Sequence, residues 1–337
     1  MHPVAAGAGS SAPPGVAPPD EAARREAAAA LPGGTYGRLE DLAAWLAGCQ
    51  GRAPARAPRR TRAVLFAADH GIAAAGVSAH DPTGTAARVA AARDGSAAVC
   101  RFAEAAGAGL RVVDVGLADP VAGEARDDRA VARGSGRLDV EDVLSDDQAV
   151  AALRAGREVA DEEVDEGADL LVVGELAVGV STPTAVLAAA VTGREPVAVV
   201  GRGSGIDDRV WMVKAAAVRD GLRRTRPVGR DPRGLLRVAG GADLAALTGF
   251  LAQSARRRTP VVLDGAATAV AALLADADAP GARAWWVAGS RCTEPAQALA
   301  LDVLGLEPLL DLQMRAGQGT GALAAVGLLR AAVSVAG

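Results

Sequence analysis

Six short apolar runs set the fold of this chain. They are Ala63–Ala67, Leu110–Val115, Leu170–Val173, Val197–Val200, Val261–Leu263 and Ala284–Ala288. Stretches of helical pattern separate them. Short runs of Val, Leu and Ala spaced in this way read as strands buried on both faces of a mostly parallel sheet. Half of the residues are hydrophobic but only 2 % are aromatic, so Ala, Val and Leu must build the core. Small side chains favour close packing of helices on strands. Among the helices, Asp146–Glu166 has the clearest start, because Ser145 and Gln148 form a capping-box pattern. Two more are predicted over Asp207–Arg223 and from about Thr320 to Val335. The reading is α/β, a mostly parallel sheet flanked by helices.

The residues just after each run point to a site. Ala63–Ala67 leads to Asp69-His70-Gly71, and Leu110–Val115 contains Asp114 and ends at Gly116. Leu170–Val173 leads to Gly174-Glu175, Val197–Val200 to Gly201-Arg202-Gly203-Ser204-Gly205, and Val261–Leu263 to Asp264-Gly265. Turn chemistry explains any one of these. Together they fit a ligand crevice outside the carboxyl ends of parallel strands. The lysine content sharpens this, since of 36 basic residues only Lys214 is a lysine. A glycine turn lets backbone N–H groups face an anion, and a lysine on the next helix reaches the same place as a compact point charge. The turn and Lys214 read as a phosphate site.

Composition narrows the classes. A formal net charge of −4 gives no electrostatic case for nucleic acid. Cys49, Cys100 and Cys292 and the three histidines His2, His70 and His80 lack metal-ligand spacing, so neither a metal nor an organic cofactor is indicated. The longest uncharged stretch, Leu176 to Gly193, contains Ser181, Thr182, Pro183 and Thr184 and reads as a loop entering a helix, not a membrane span. Residues 1–20 read as a disordered lead-in without signal-peptide character, and the protein is expected in the cytoplasm. A dinucleotide fingerprint fails because position 206 is Ile206, and a P-loop fails because Val213 precedes the only lysine.

Several motifs in order carry a family resemblance: Phe66-Ala67-Ala68-Asp69-His70-Gly71, Gly76-Val77-Ser78, Val112-Val113-Asp114-Val115-Gly116, Gly174-Glu175, and the glycine turn with Lys214. Then come Gly240-Gly241-Ala242-Asp243-Leu244, Val262-Leu263-Asp264-Gly265, Glu294-Pro295 and the run Leu309 to Ala322. From about Gly34 to the C-terminus the chain resembles nicotinate-nucleotide–dimethylbenzimidazole phosphoribosyltransferases, enzymes of cobalamin lower-ligand assembly. The resemblance implies a Rossmann-like domain over 21–337 with a smaller helical subdomain from the terminal regions, and a homodimer. It also implies a reaction in which a ring nitrogen of 5,6-dimethylbenzimidazole attacks the anomeric carbon of nicotinate mononucleotide. Nicotinate leaves and α-ribazole phosphate forms with inversion. Such chemistry needs an anion cradle, an apolar slot for the base, and an acceptor for its proton.

By resemblance, Gly203, Ser204, Gly205 and Lys214 hold the phosphate. Ala177 falls where a glycine is usual, Val180 replaces a usual asparagine, and Asp264 lies near the ribose. The base slot is Ser78, His80, Ala87, Met314 and Ala316, with Glu175 also in the site. The acceptor half departs from the family, whose catalytic glutamate is Gln318 here. A neutral amide orients a base but does not take its proton. His80-Asp81 replaces an aromatic before proline, Ala87 a glutamine and Ala316 a leucine. The readings left open are a transferase whose proton acceptor is Glu175, His80 or water, or whose base differs, and a paralogue that binds nucleotide without transferring it or that needs a partner. Among single residues, His70 reads equally as a buried loop-shaping histidine, Cys292 as a small packed residue and Trp285-Trp286 as core or subunit contact on a strand. Arg315 reads as a phosphate contact or as the partner of Asp311 one helical turn earlier.

Overall fold

A computed structural model describes residues 15–335. Its centre is a parallel sheet of six strands: β1 (Thr61–Ala68), β2 (Ala108–Gly116), β3 (Leu170–Leu176), β4 (Val261–Asp264), β5 (Trp286–Cys292) and β6 (Pro308–Met314), in the order β2-β1-β3-β4-β5-β6. The chain runs outward from β1 to β2, then returns past β1 to β3 and continues to the other edge. The reversal lies between β1 and β3, where open α/β sheets bind ligands.

Alternate residues of each strand enter opposite cores. Val64, Phe66, Leu171, Val173, Val261 and Leu263 face helices 146–165, 181–192, 242–256 and 265–278. Ala63, Leu65, Leu170, Val172 and Val262 face helices 38–50, 85–93, 98–105 and 320–335. With few aromatics, close approach replaces bulk. Helices 146–165 and 242–256 touch backbone to backbone, so a Cβ on Gly156 would lie 1.9 Å from the Ala246 oxygen, and one on Gly249 would lie 2.0 Å from the Leu153 oxygen. The ring pair in the first core, Phe66 and Phe250, packs edge to face at 5.7 Å.

Four of the predicted runs are strands within the observed bounds, and the Ser145/Gln148 capping box is present on the helix Asp146–Asp165. The predicted helix Asp207–Arg223 is Asp208–Thr225, capped by the Asp207 side chain. Three expectations are corrected. Val197–Val200 is no strand: Pro196–Val199 forms a short helix with proline in its first turn, Val197 is exposed, and β3 pairs directly with β4, leaving no place in the sheet. The sixth run, Ala284–Ala288, is shifted, with Ala282–Trp285 a 3₁₀ turn and β5 starting at Trp286. Edge strand β6 was not anticipated; it is half-buried with Asp311, Leu312 and Gln313 exposed, and it makes Asp311–Met314 part of a strand rather than a helix. Residues 15–20, read as lead-in, are laid down: Val16 N–H donates to the Pro280 oxygen (2.8 Å) and Trp285 Nε1 to the Ala17 oxygen (2.9 Å). The rest of that lead-in, 1–14, lies outside the described residues. Among the described residues no helix is long and apolar enough to cross a membrane.

Candidate active site

The carboxyl ends of β3, β4, β5 and β6, with the loop after β1, enclose a cavity of about 160 Å³. Its wall brings together Ser78, His80, Glu175, Ala177, Val180, Gly203, Ser204, Asp264, Met314, Ala316 and Gln318. Three anticipated residues do not reach it. Lys214 lies just behind, fully buried. Gly205 ends the glycine turn outside the wall, and Ala87 is exposed on helix 85–93, where Arg88 lines the cavity instead.

The anion end is built by the glycine turn, helix 208–225 and the start of helix 181–192. Lys214 Nζ donates to Ser181 Oγ (2.9 Å) and to the Gly201 oxygen (3.1 Å), and lies 3.8 Å from the Glu294 carboxylate. Burial pulls the lysine's pKa down, and the charge of Glu294 opposes that. The Gly203 N–H donates to Glu294 Oε1 (2.7 Å), so this end already holds one carboxylate. Gly203 has φ +47°, and a Cβ there would lie 2.8 Å from Ser181 Oγ and 3.3 Å from Nζ. The close approach is what requires glycine. Ser204 Oγ accepts from the Ala79 N–H (2.8 Å) and meets Ser78 Oγ at 3.2 Å, which ties the loop carrying Ser78 and His80 to the glycine turn.

Two carboxylates stand in the middle. Asp264 ends β4 and is pushed up by burial to about 6, while the backbone N–H groups of Gly321, Gly319 and Ala322 at the start of helix 320–335 favour its ionised form. One of its oxygens, Oδ2, is buried without a partner. Glu175, at the end of β3, is pushed to about 8, first by burial and then by the charges of Asp264 and Asp243. Gln318 sits between Gly317 and Gly319, and all three are left-handed, with φ of 61°, 60° and 78°. The turn fits because β3 offers no side chain there: a Cβ on Gly174 would lie 2.6 Å from the Gly319 nitrogen.

The remaining candidates separate. His70 is buried, with Nε2 3.0 Å from Asp243 Oδ2, outside the cavity wall. Burial lowers its pKa, the Asp243 carboxylate raises it, and the net shift is upward. The Cys292 thiol lines the cavity but is pushed up to about 12 by burial, which leaves it unreactive. Asp311 pairs with Arg291 at 3.3 Å rather than with Arg315, which lines the cavity. Trp286 is buried in the core. Sequence reasoning missed Arg88, Ser181, Ser290 and Arg291 as wall residues and named Glu294 only as part of a motif. The position of Ser181 just after a strand end was the available signal for it; Arg88 had none.

A family model described as phosphoribosyltransferase matches residues 13–337. The chain is 54 % identical over 303 residues to a nicotinate-nucleotide–dimethylbenzimidazole phosphoribosyltransferase of Mycobacterium ulcerans, covering 90 % of this chain and 85 % of that one. It is 55 % identical over 304 residues to one from Mycobacterium tuberculosis, covering 90 % and 84 %. The crystal structure of CobT from Thermus thermophilus superposes with a TM-score of 0.88 at 38 % identity, covering 94 % of this chain and 95 % of that one.

Proposed function

Because the chain belongs to the nicotinate-nucleotide–dimethylbenzimidazole phosphoribosyltransferase family, we propose that it moves the 5-phosphoribosyl group of nicotinate mononucleotide to a benzimidazole-type base. The products are α-ribazole phosphate and nicotinate. The observation that carries this reading is the chain's only lysine, buried behind a glycine turn on the floor of a cavity that also holds the carboxylates of Glu175, Asp264 and Glu294. Lys214, Gly203 and Ser204 hold the 5′-phosphate, with Gly205 and Ala177 beside them, and Asp264 faces the ribose. The base lies against Ser78, His80, Met314 and Ala316, with Ala87 at the periphery. Its nitrogen lone pair forms the new bond to the anomeric carbon as the bond to nicotinate breaks and that electron pair returns to the pyridine ring. The proton on the other ring nitrogen goes to Glu175, and the amide of Gln318 orients the base. Glu175 is the carboxylate whose environment raises its proton affinity most, which suits an acceptor. The protein works in the cytoplasm as a homodimer; the exposed Val197, Met212 and Val213 supply an apolar face for association.

The test is nicotinate release from nicotinate mononucleotide with and without added benzimidazoles, for the native protein and for Gln318→Glu. Base-dependent release by the native protein is expected. Silence from both proteins, with no nucleotide binding, would sink the phosphate-site assignment. Silence from the native protein alone would show that Gln318 has cost this chain its transferase activity.

A further inference from the structure

The acceptor end of the cavity carries a cation for which the fold supplies no partner. Arg88 stands on helix 85–93, half-buried in the wall with Ser78, His80, Met314 and Ala316. The start of that helix is pinned beside the cavity by Thr85, fully buried, whose Oγ accepts from the Val178 N–H at 3.2 Å. Arg291 in the same wall has its carboxylate in Asp311, at 3.3 Å. The Arg88 guanidinium makes no hydrogen bond or ion pair among the described residues; burial weakens its hold on its proton, and no carboxylate offsets that. Of the cavity's other charged groups, Asp264 is engaged with the start of helix 320–335 and Glu294 with Gly203 and Lys214, while Glu175, also in the wall, forms no ion pair with Arg88, and Arg315 there offers it no carboxylate. Gln318 adds an amide and no charge.

A flat base seated here displaces water from Arg88. If its far edge carries only methyl groups, the guanidinium is desolvated with nothing in return, a loss comparable to leaving a polar group unpaired. An oxygen on that edge instead receives a charge-assisted hydrogen bond. Resting on the transferase reading above, we propose that Arg88 sets acceptor specificity, selecting bicyclic aromatic bases with a hydrogen-bond-accepting or ionised oxygen on the ring edge remote from the attacking nitrogen. His80 stands beside the guanidinium, and its pKa is lowered first by burial and then by that positive charge.

The experiment compares 5-hydroxybenzimidazole with 5-methylbenzimidazole, which match in size, by kcat/KM with saturating nicotinate mononucleotide. The native protein is expected to favour the hydroxy base by about tenfold or more, the size of one charge-assisted hydrogen bond. Arg88→Met is expected to erase that ratio, and Arg88→Lys to keep part of it. A native preference for the methyl base, or the same ratio in native protein and Arg88→Met, overturns the proposal. If no base supports nicotinate release, the transferase reading fails and calorimetric binding of the two bases decides on Arg88 alone. A hydroxy preference present in the native protein and absent in Arg88→Met then upholds its role, and equal affinities overturn it. Should Arg88→Met not fold, Arg88→Gln replaces it, with the same expectations.

Discussion

Replacing Glu175 with glutamine is expected to stabilise the protein at alkaline pH while removing its transfer activity. The carboxyl at the end of β3 is raised from 4.5 to about 8, first by burial and then by the charges of Asp264 and Asp243. A carboxyl whose folded pKa lies above its unfolded one binds its proton more tightly in the native state. Its contribution is therefore lost as pH rises from about 4.5 to about 8. Taken in full, that displacement is worth about 5 kcal/mol at roughly 1.4 kcal/mol per pH unit. The side chain is only partly buried by surface area, and solvent screening reduces the figure to about 2–3 kcal/mol. Glutamine keeps the shape and does not ionise. Urea unfolding across pH 5 to 8.5 should show the two proteins close at the acid end, with Glu175→Gln gaining about 2–3 kcal/mol at the alkaline end. Transfer should fall by roughly 10²–10⁴. A stability difference that does not change with pH, or a Glu175→Gln protein weaker at pH 8.5, refutes the electrostatic reasoning. Unchanged turnover removes Glu175 as the proton acceptor.

Lys214→Met should raise the KM for nicotinate mononucleotide about ten- to a hundredfold, the value of one charged hydrogen-bonding group, in initial-rate assays. Lys214→Arg should not restore it, because Ser181 Oγ and the Gly201 oxygen confine a point charge at 2.9 and 3.1 Å and leave no room for a planar fork. Gly249→Ala should lower the melting temperature, because its Cβ would stand 2.0 Å from the Leu153 oxygen. Overpacking of this kind costs about 1–3 kcal/mol, and the activity of the molecules that remain folded should be unchanged.

The sheet was legible wherever strands are buried on both faces, because continuous Val and Leu runs have few other homes. That held for β1, β3 and β4; β2 was also legible because it carries such a run although it is a half-buried edge strand, and the reading failed at β6 and at Val197–Val200. Edge strand β6 mixes Asp311 and Gln313 with apolar residues and buries none of its residues fully, so it lacks the run that marks a buried strand. Val197–Val200 has the run but buries only Val199 and Val200; proline opens a helical turn there, and composition alone does not distinguish the two. That the glycine turn and Lys214 lie together was readable because it depends on local features, a turn and a lysine one helix later. The acceptor end is assembled from loops distant in sequence, and a helix phase shifted by one residue puts Arg88 rather than Ala87 on the wall. No spacing in the chain reports that rotation.

The same geometry bears on how the chain can work with Gln318. Asp264 and Glu175 are neighbours whose environments separate them, one near 6 and the other near 8, and such pairs divide labour in acid–base chemistry. The N–H groups at the start of helix 320–335 favour ionised Asp264, and that negative charge raises the proton affinity of Glu175. Nicotinate mononucleotide carries a cationic pyridinium ring. On the proposed reading the ring's positive charge opposes the effect of Asp264 where it faces Glu175 and favours the ionised carboxylate that accepts a proton. Transfer moves that positive charge from the pyridine ring to the incoming base, whose remaining N–H becomes acidic and gives its proton to the Glu175 carboxylate. A second carboxylate at 318 would add like charge beside both acids. A neutral amide there leaves the cycle to Glu175, with the substrate's own charge as its switch.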